Sequence, residues 1–165
     1  MARRLVNLAG FVACAALMGY ALHAQYDLNL DPCPLCIFQR IGVILLGLAF
    51  LAAAAHHPRG RGRYAYAALI ALFALLTAGL AARHLYVQSL PPGSLPSCGA
   101  PLALMLRFSP LLQVIRTVLT GSGECGEVNW RFLGLAMPAW VLIWALLLGG
   151  AGTLANLRSG ASSAR

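Results

Sequence analysis

The sequence has 165 residues, a length typical of one domain, and carries a net charge of +8. Apolar residues make up 60% of it and charged residues only 10%, whereas soluble domains average about 45–50% and about 25%. This composition excludes a water-soluble globule and a disordered chain. It also argues against nucleic acid as a partner, because the twelve arginines are scattered without a basic stripe.

Four apolar runs predict four transmembrane helices, since about 20 apolar residues cross a bilayer core of ~30 Å. They cover residues 5–24, 36–55, 65–82 and 132–157. The second run reaches this length only if it begins at Cys36, which places Arg40 inside the helix. Another apolar stretch, residues 102–119, is interrupted by polar residues and a proline, and it predicts a short helix in the interface plane. The expected fold class is an all-α membrane protein, a four-helix bundle forming a single domain over residues 1–165.

The arginines predict the orientation of these spans, because short cytoplasmic loops are enriched in positive charge. Seven arginines lie in the N-terminus, in residues 56–63 and in the tail after the fourth span. The opposite side has five arginines and all four acidic residues. Both termini are therefore expected in the cytoplasm, which leaves two outer segments, residues 25–36 and 83–131. The alternative for the first span is a cleaved signal peptide that ends at Ala24. Leu22 argues against it, because a small residue is expected at that position, three residues before the cleavage site.

The first outer segment ends in a C-x-x-C motif, Cys33 and Cys36, at the expected start of the second span. Such a pair closes a small loop that is readily reduced, which suits a redox site. Cys36 is expected in the first helical turn, where the helix dipole favours a thiolate. Arg40, four residues later, shares its face and can stabilise the thiolate or bind an electronegative ligand. A snorkelling interfacial arginine is the alternative.

The long outer segment contains two further cysteines, each in a stretch rich in turn-forming residues. Cys98 lies among prolines, so an extended chain is expected there that a partner protein can bind in a groove. Cys125 lies in a glycine-rich stretch, residues 121–126, that is expected to be flexible. Four cysteines allow three pairings, and the sequence does not choose among them. Cys14, in the middle of the first span, is expected to be an inert packing residue.

Three interpretations of the four outer cysteines remain open at this point. They can form two structural bridges, a zinc site, or two redox pairs. A zinc site with four cysteine ligands typically has two closely spaced cysteine pairs. Here the first pair is C-x2-C but the second is C-x26-C, so no metal is expected. The position of Cys36 and Arg40 favours redox chemistry, in which one pair meets a soluble partner and the other meets a molecule in the lipid.

Residues 32–40, PCPLCIFQR, together with four spans and two more cysteines in a long outer segment, resemble the bacterial disulfide bond formation protein B (DsbB) family. Residues 125–138, CGEVNWRFLGLAMP, resemble that family's lead-in to its last span. The resemblance runs from the first span to the last. The departures are mild, chiefly the stretch around Cys98 and the absence of lysine.

The resemblance implies a quinone-dependent enzyme of the bacterial inner membrane that generates disulfides, with its cysteine segments in the periplasm. A DsbA-like periplasmic thiol oxidase would attack Cys98 of a Cys98–Cys125 disulfide, and Cys125 would then attack Cys33 of a Cys33–Cys36 bridge. Cys36 would contact the quinone, either ubiquinone or menaquinone. The implied partners are this oxidase, the membrane quinone pool and the lipid bilayer.

Three other residues are candidates for binding the quinone. The resemblance implies that Arg40 polarises a quinone oxygen and that His84 is a second contact, with a plain interfacial histidine as the alternative. Met137 lies at the outer end of the fourth span and is a candidate for lining the quinone pocket, with simple packing as the alternative. Two other functions are weighed: a structural four-span protein with two inert disulfides, and a vitamin K epoxide reductase-like protein, whose C-x-x-C belongs to a late span.

Overall fold

The computed structural model describes residues 2–58, 60–91, 102–121, 123–128 and 130–158. Within these ranges the chain forms seven helices and one two-stranded hairpin. In chain order they are α1 Ala2–Tyr26, α2 Pro34–His56, α3 Gly62–Gln88, α4 Leu102–Phe108, α5 Leu111–Thr120, α6 Gly123–Gly126, β1 Arg131–Phe132, β2 Leu135–Ala136 and α7 Met137–Arg158.

Helices α1, α2, α3 and α7 are each long and apolar enough to cross a membrane. The predicted all-α, four-span membrane fold is therefore confirmed. Helix α1 packs on α2, α2 on α3 and α3 on α7, and α7 returns to α1, so the four helices form a closed ring. Each helix buries a minority of the residues in its most apolar stretch and exposes large apolar side chains, as expected for a surface that faces lipid.

Helix α3 continues past residue 82, where its apolar run ends, and reaches Gln88. A charge interrupts the run at Arg83, but charge does not end a helix whose polar side chains find partners. Arg83 donates hydrogen bonds to the carbonyls of Leu119 and Thr120 at 2.7 and 3.0 Å. The first turns of the expected outer segment are therefore helical.

Helix α7 begins at Met137 rather than at residue 132, because a hairpin takes up the start of the apolar run. Leu133 and Gly134 form the turn, and both have a positive φ, 50° and 78°. Two central residues of this kind are typical of tight hairpin turns. Apolar composition cannot separate such a hairpin from the helix that follows it.

The predicted interfacial helix is two helices, α4 and α5, because Pro110 disfavours helical geometry at Ser109. Helix α5 turns Val114 and Val118 inward, one turn apart. The two helices expose six large apolar side chains, together with Arg107, Gln113 and Arg116: Leu104, Leu106, Phe108, Leu111, Leu112 and Leu119. This exposed face fits a helix pair lying at a membrane surface.

Phe50 is the centre of the main core, with 1% of its surface exposed. Its ring lies between two glycines of neighbouring helices. A Cβ at Gly10 of α1 would approach the ring to 2.8 Å, and one at Gly152 of α7 would meet it closer still. Small residues at these crossings let the helices approach, as is usual in membrane bundles.

Candidate functional site

The C-x-x-C motif forms the start of α2. Cys33 is the N-cap residue, and its Sγ accepts a hydrogen bond from the backbone N–H of Cys36 at 3.4 Å. Pro34 occupies the first helical turn, where its missing N–H costs nothing. The two cysteine sulfurs lie 3.0 Å apart. This end of the bundle, where α2 begins, is called the cysteine end below.

A cavity of about 460 Å³ opens beside the motif, between α1, α2, α7 and the hairpin. Most of its lining is apolar or aromatic. The structure brings five predicted site residues to its wall: Cys33, Cys36, Arg40, His84 and Met137. Cys36 and Arg40 therefore do share one face of α2, and that face is turned to the cavity.

Arg40 is held against α1 by two hydrogen bonds. Its guanidinium donates to the side-chain oxygen of Gln25 and to the backbone carbonyl of Ala21, the latter at 3.0 Å. Both acceptors are neutral, so these contacts leave the positive charge uncompensated. A positive group fixed in a mostly apolar wall is suited to an electronegative ligand atom.

His84 lies inside α3 rather than at the start of a loop, and only 2% of its surface is exposed. Its Nε2 donates to the backbone carbonyl of Cys125 at 3.1 Å and lies 3.7 Å from the Sγ of Cys33. Its Nδ1 lies 3.0 Å from the side-chain nitrogen of Gln39, another buried residue. His84 thus contacts a cysteine of each predicted pair.

The flexibility expected around Cys125 stays a prediction, but Cys125 itself lies neither in a loop nor at the surface. It lies in the helical turn α6, and only 1% of its surface is exposed. The Sγ atoms of Cys125 and Cys33 and a ring nitrogen of His84 all lie within 4.8 Å of one another. Cysteines from two distant parts of the chain are therefore close enough to exchange bonds.

Helix α5 fixes the approach to Cys125. Its Val114 and Val118 join Cys33, Cys125 and Val87 in a second apolar cluster at the cysteine end. The last carbonyls of α5 are bound by Arg83, as described above. Packing, rather than chain flexibility, therefore places Cys125 beside the motif.

Two other cysteine predictions have different outcomes. Cys98 lies outside the described residues. The structure therefore does not test a zinc site with four cysteine ligands, because Cys98 would be one of them. Cys14 is buried in the main core, where its Cβ would lie 3.1 Å from a Cβ added at Gly47. It is not part of the cavity wall.

Sequence reasoning missed a row of aromatic side chains along the cavity. Tyr20 meets Trp130 edge to face at 5.9 Å, Trp130 stacks on Phe132 at 6.0 Å, and Phe132 lies 5.8 Å from Trp140. All four line the cavity. No spacing in the sequence links Trp130 to Tyr20, so this contact could not be predicted.

Comparison with known proteins finds one family profile, disulfide bond formation protein DsbB, that matches residues 3–155. Among curated relatives, a disulfide bond formation protein B of Xanthomonas campestris pv. campestris is 51% identical over 138 residues, 83% of this chain and 80% of the relative. Its counterpart in Methylococcus capsulatus is 50% identical over 142 residues, 86% and 87% of the two chains. The one in Hahella chejuensis is 50% identical over 133 residues, 81% of each.

Proposed function

Since the chain belongs to the DsbB family of disulfide bond formation proteins, we propose that it is a thiol:quinone oxidoreductase of the bacterial inner membrane. It reoxidises a periplasmic, DsbA-like dithiol oxidase and passes the electrons to a membrane quinone. The observation that carries this proposal is the position of Cys36 and Arg40 together on the wall of the cavity.

The cavity fits a quinone by size and by the chemistry of its wall. Its volume of about 460 Å³ lies in the usual range for small-molecule sites, and aromatic side chains line much of it. Arg40 supplies a positive charge for a ring oxygen, and Met137 and the aromatic row supply apolar contact. A quinone held there would supply an acceptor for two electrons and two protons. Either ubiquinone or menaquinone satisfies these requirements.

The cysteines form a relay in which each step exchanges one disulfide for another. A partner thiolate attacks Cys98 of the Cys98–Cys125 disulfide, and the partner's second thiol resolves the mixed disulfide, leaving Cys98 and Cys125 reduced. The Cys125 thiolate then attacks Cys33, which breaks the Cys33–Cys36 bond and releases Cys36 as a thiolate. Proximity supports this step, because the Cys125 and Cys33 sulfurs lie within 4.8 Å. Attack by Cys98 on the Cys33–Cys125 bond then restores its own disulfide and leaves Cys33 and Cys36 with the electron pair.

His84 contacts both cysteines that exchange bonds in this relay, Cys33 and Cys125. Its hydrogen bond to the Cys125 carbonyl joins α6 to α3, and its contact with Cys33 joins α3 to the motif. Because His84 also lines the cavity, it is suited to contact the quinone as well. Gln39 fixes the ring orientation through the other ring nitrogen.

The test is quinone reduction by a reduced thioredoxin-fold partner, followed with the purified protein in detergent. We expect Cys36→Ser and Cys98→Ser each to abolish quinol formation, whereas Cys14→Ala, a cysteine outside the relay, retains it. Quinol formation that persists in Cys36→Ser or Cys98→Ser contradicts the relay. A wild-type protein that oxidises no partner supports instead a structural four-span protein with inert bridges.

A further inference from the structure

We propose that the fully reduced protein binds one thiophilic metal ion, Zn²⁺ in the first instance, through Cys33, Cys125 and His84. The Sγ atoms of the two cysteines and a histidine ring nitrogen lie within 4.8 Å of one another, and all three residues are buried. The sequence spacing argued against a site with four cysteine ligands. It gave no sign that a histidine from α3 joins the two cysteine segments.

The separation of Cys33 and His84 matches tetrahedral zinc coordination. With Zn–S of about 2.3 Å and Zn–N of about 2.0 Å, neighbouring sulfur and nitrogen ligands of a tetrahedral ion lie about 3.5 Å apart. The Cys33 Sγ and His84 Nε2 are 3.7 Å apart. Cys36 is placed to be the fourth ligand, because its Sγ lies 3.0 Å from that of Cys33. The two sulfurs need to separate to about 3.8 Å on binding.

His84 has the outer partner that a metal-bound histidine needs. Zinc-bound histidines usually donate their second ring N–H to a nearby oxygen, which fixes the ring. Gln39 lies 3.0 Å from Nδ1 of His84, and turning its amide over presents the oxygen to that N–H. In this tautomer the ring proton is on Nδ1. Nε2 therefore no longer donates to the Cys125 carbonyl, and its lone pair can bind the metal.

Carboxylates give a cation a route to this cluster. Cys33 and His84 line the cavity, and so do Asp31, Glu124 and Glu127. Those three are all but one of the four acidic residues in the chain. The fourth, Asp27, pairs with a histidine at 2.6 Å. Arg40 is the single arginine among the lining residues, so negative charge prevails along the described cavity wall.

Binding is limited to one redox state. A cysteine in a disulfide offers no thiolate, so the site exists only after Cys33, Cys36 and Cys125 are all reduced. Binding releases the protons of the coordinating thiols and transfers no electrons. A bound ion removes the nucleophile Cys125 and its target Cys33 together, so Zn²⁺ should inhibit turnover. This inhibition rests on the proposed function, whereas the binding itself does not.

The binding test uses purified protein in detergent, reduced without oxygen, freed of reductant and kept without quinone. We expect one equivalent of Co²⁺ to give a thiolate-to-cobalt charge-transfer band and the visible bands of a tetrahedral ion, and Zn²⁺ to displace it. Protein oxidised beforehand should give no band. A missing band in the reduced wild type, or an equal band in oxidised protein, overturns the proposal.

Variants separate this site from general thiol binding. His84→Gln keeps a side-chain N–H for the Cys125 carbonyl but is a poor zinc ligand. It should weaken Zn²⁺ binding by roughly 100-fold, because loss of even an outer partner costs about 10–100-fold. Cys14→Ala removes a cysteine outside the cluster and should bind as the wild type does. Equal affinities of His84→Gln and Cys14→Ala for Zn²⁺ exclude His84 as a ligand.

Gln39→Met gives a second measurement that does not depend on His84 itself. It removes the amide and keeps the side-chain length, so binding should weaken by about 10–100-fold. Circular dichroism before the titration shows that each variant is folded. An unchanged affinity in Gln39→Met, together with loss in His84→Gln, contradicts the proposed outer partner. An unchanged affinity in both overturns the site.

Discussion

Arg40 shows how one side chain serves both the helix and the cavity. Its hydrogen bonds to Gln25 and Ala21 tie α2 to the end of α1. Because the acceptors are neutral, the guanidinium keeps its full charge beside Cys36. An interfacial arginine that only anchored the helix would extend toward solvent instead of lining a cavity with a cysteine.

Arg40→Ala should raise the apparent KM for quinone by about 10- to 100-fold, because hydrogen bonds to charged groups contribute about 1.5–3 kcal/mol. Oxidation of the partner by the relay should be unaffected in a single turnover without added quinone. Steady-state kinetics at varied quinone concentration measures the effect. Arg131→Ala removes an exposed arginine of β1 that does not line the cavity, and should leave the KM unchanged. An unchanged KM for quinone in Arg40→Ala would show that Arg40 does not bind the quinone and only anchors the helix at the membrane surface.

The sequence predicts that two site residues lie close together when they belong to one helix. It does not predict the proximity of residues that only tertiary packing brings together. Cys36 and Arg40 lie one turn apart in one helix, so their shared face follows from helical geometry alone. Cys125 meets Cys33 because α5 packs against the start of α2 and the end of α3. No periodicity records that contact. The glycines around Cys125 suggested flexibility, whereas the structure places Cys125 in a helical turn and buries it among valines.

At the scale of the elements, glycines set how closely the helices pack. The ring of Phe50 on α2 fills the space that side chains would need at Gly10 of α1 and Gly152 of α7. The same device recurs where Gly149 of α7 meets Ala74 of α3. Close packing of this kind brings the backbones of the four long helices together.

Gly152→Val should destabilise the bundle by about 1–3 kcal/mol, the usual cost of overpacking a tight core. Gly150, two residues away on α7, is exposed and has no neighbouring atom within 4 Å of an added Cβ. Gly150→Val is thus a matched control for the change in helix propensity. Thermal unfolding in detergent compares the two, and equal melting temperatures would contradict the proposed role of the Phe50 contact.

Element boundaries were predictable only where composition and geometry change at the same residue. The four spans follow from apolar length, which is fixed by the thickness of the bilayer. The hairpin before α7 is as apolar as the helix, so only the positive φ angles of its turn separate the two. Helix α3 extends beyond its apolar run because its polar residues bind neighbouring elements.

At the scale of the whole molecule, the two ends of the bundle are built differently. The cysteine end holds the cavity, the C-x-x-C motif, Cys125 and all four acidic residues. At the opposite end, Asn7 of α1 and Asn156 of α7 are fully buried, and the side-chain nitrogen of Asn156 donates to the oxygen of Asn7 at 2.9 Å. Arg3 reaches the carbonyl of Pro58 between α2 and α3. Polar contacts thus join the helices at the end of the bundle opposite the cysteines, which is called the closed end.

The distribution of arginines predicts that this closed end faces the cytoplasm. A green fluorescent protein fused after residue 158 should fluoresce, and an alkaline phosphatase fused there should be inactive. The phosphatase should be active when it is fused after Leu90, beyond α3. An active phosphatase at the C-terminus contradicts the predicted orientation and would place the cysteines in a reducing compartment.

The residue that caps helix α2 is also a residue of the proposed relay. The Cys33 sulfur accepts the backbone N–H of Cys36 and so completes the first turn. In the proposed relay the same sulfur would bond to Cys125, which would draw it toward α6 and remove the acceptor from that N–H. The first turn of α2 would then open and close once in each catalytic cycle. Hydrogen exchange at the backbone amide of Cys36 would report that cycle.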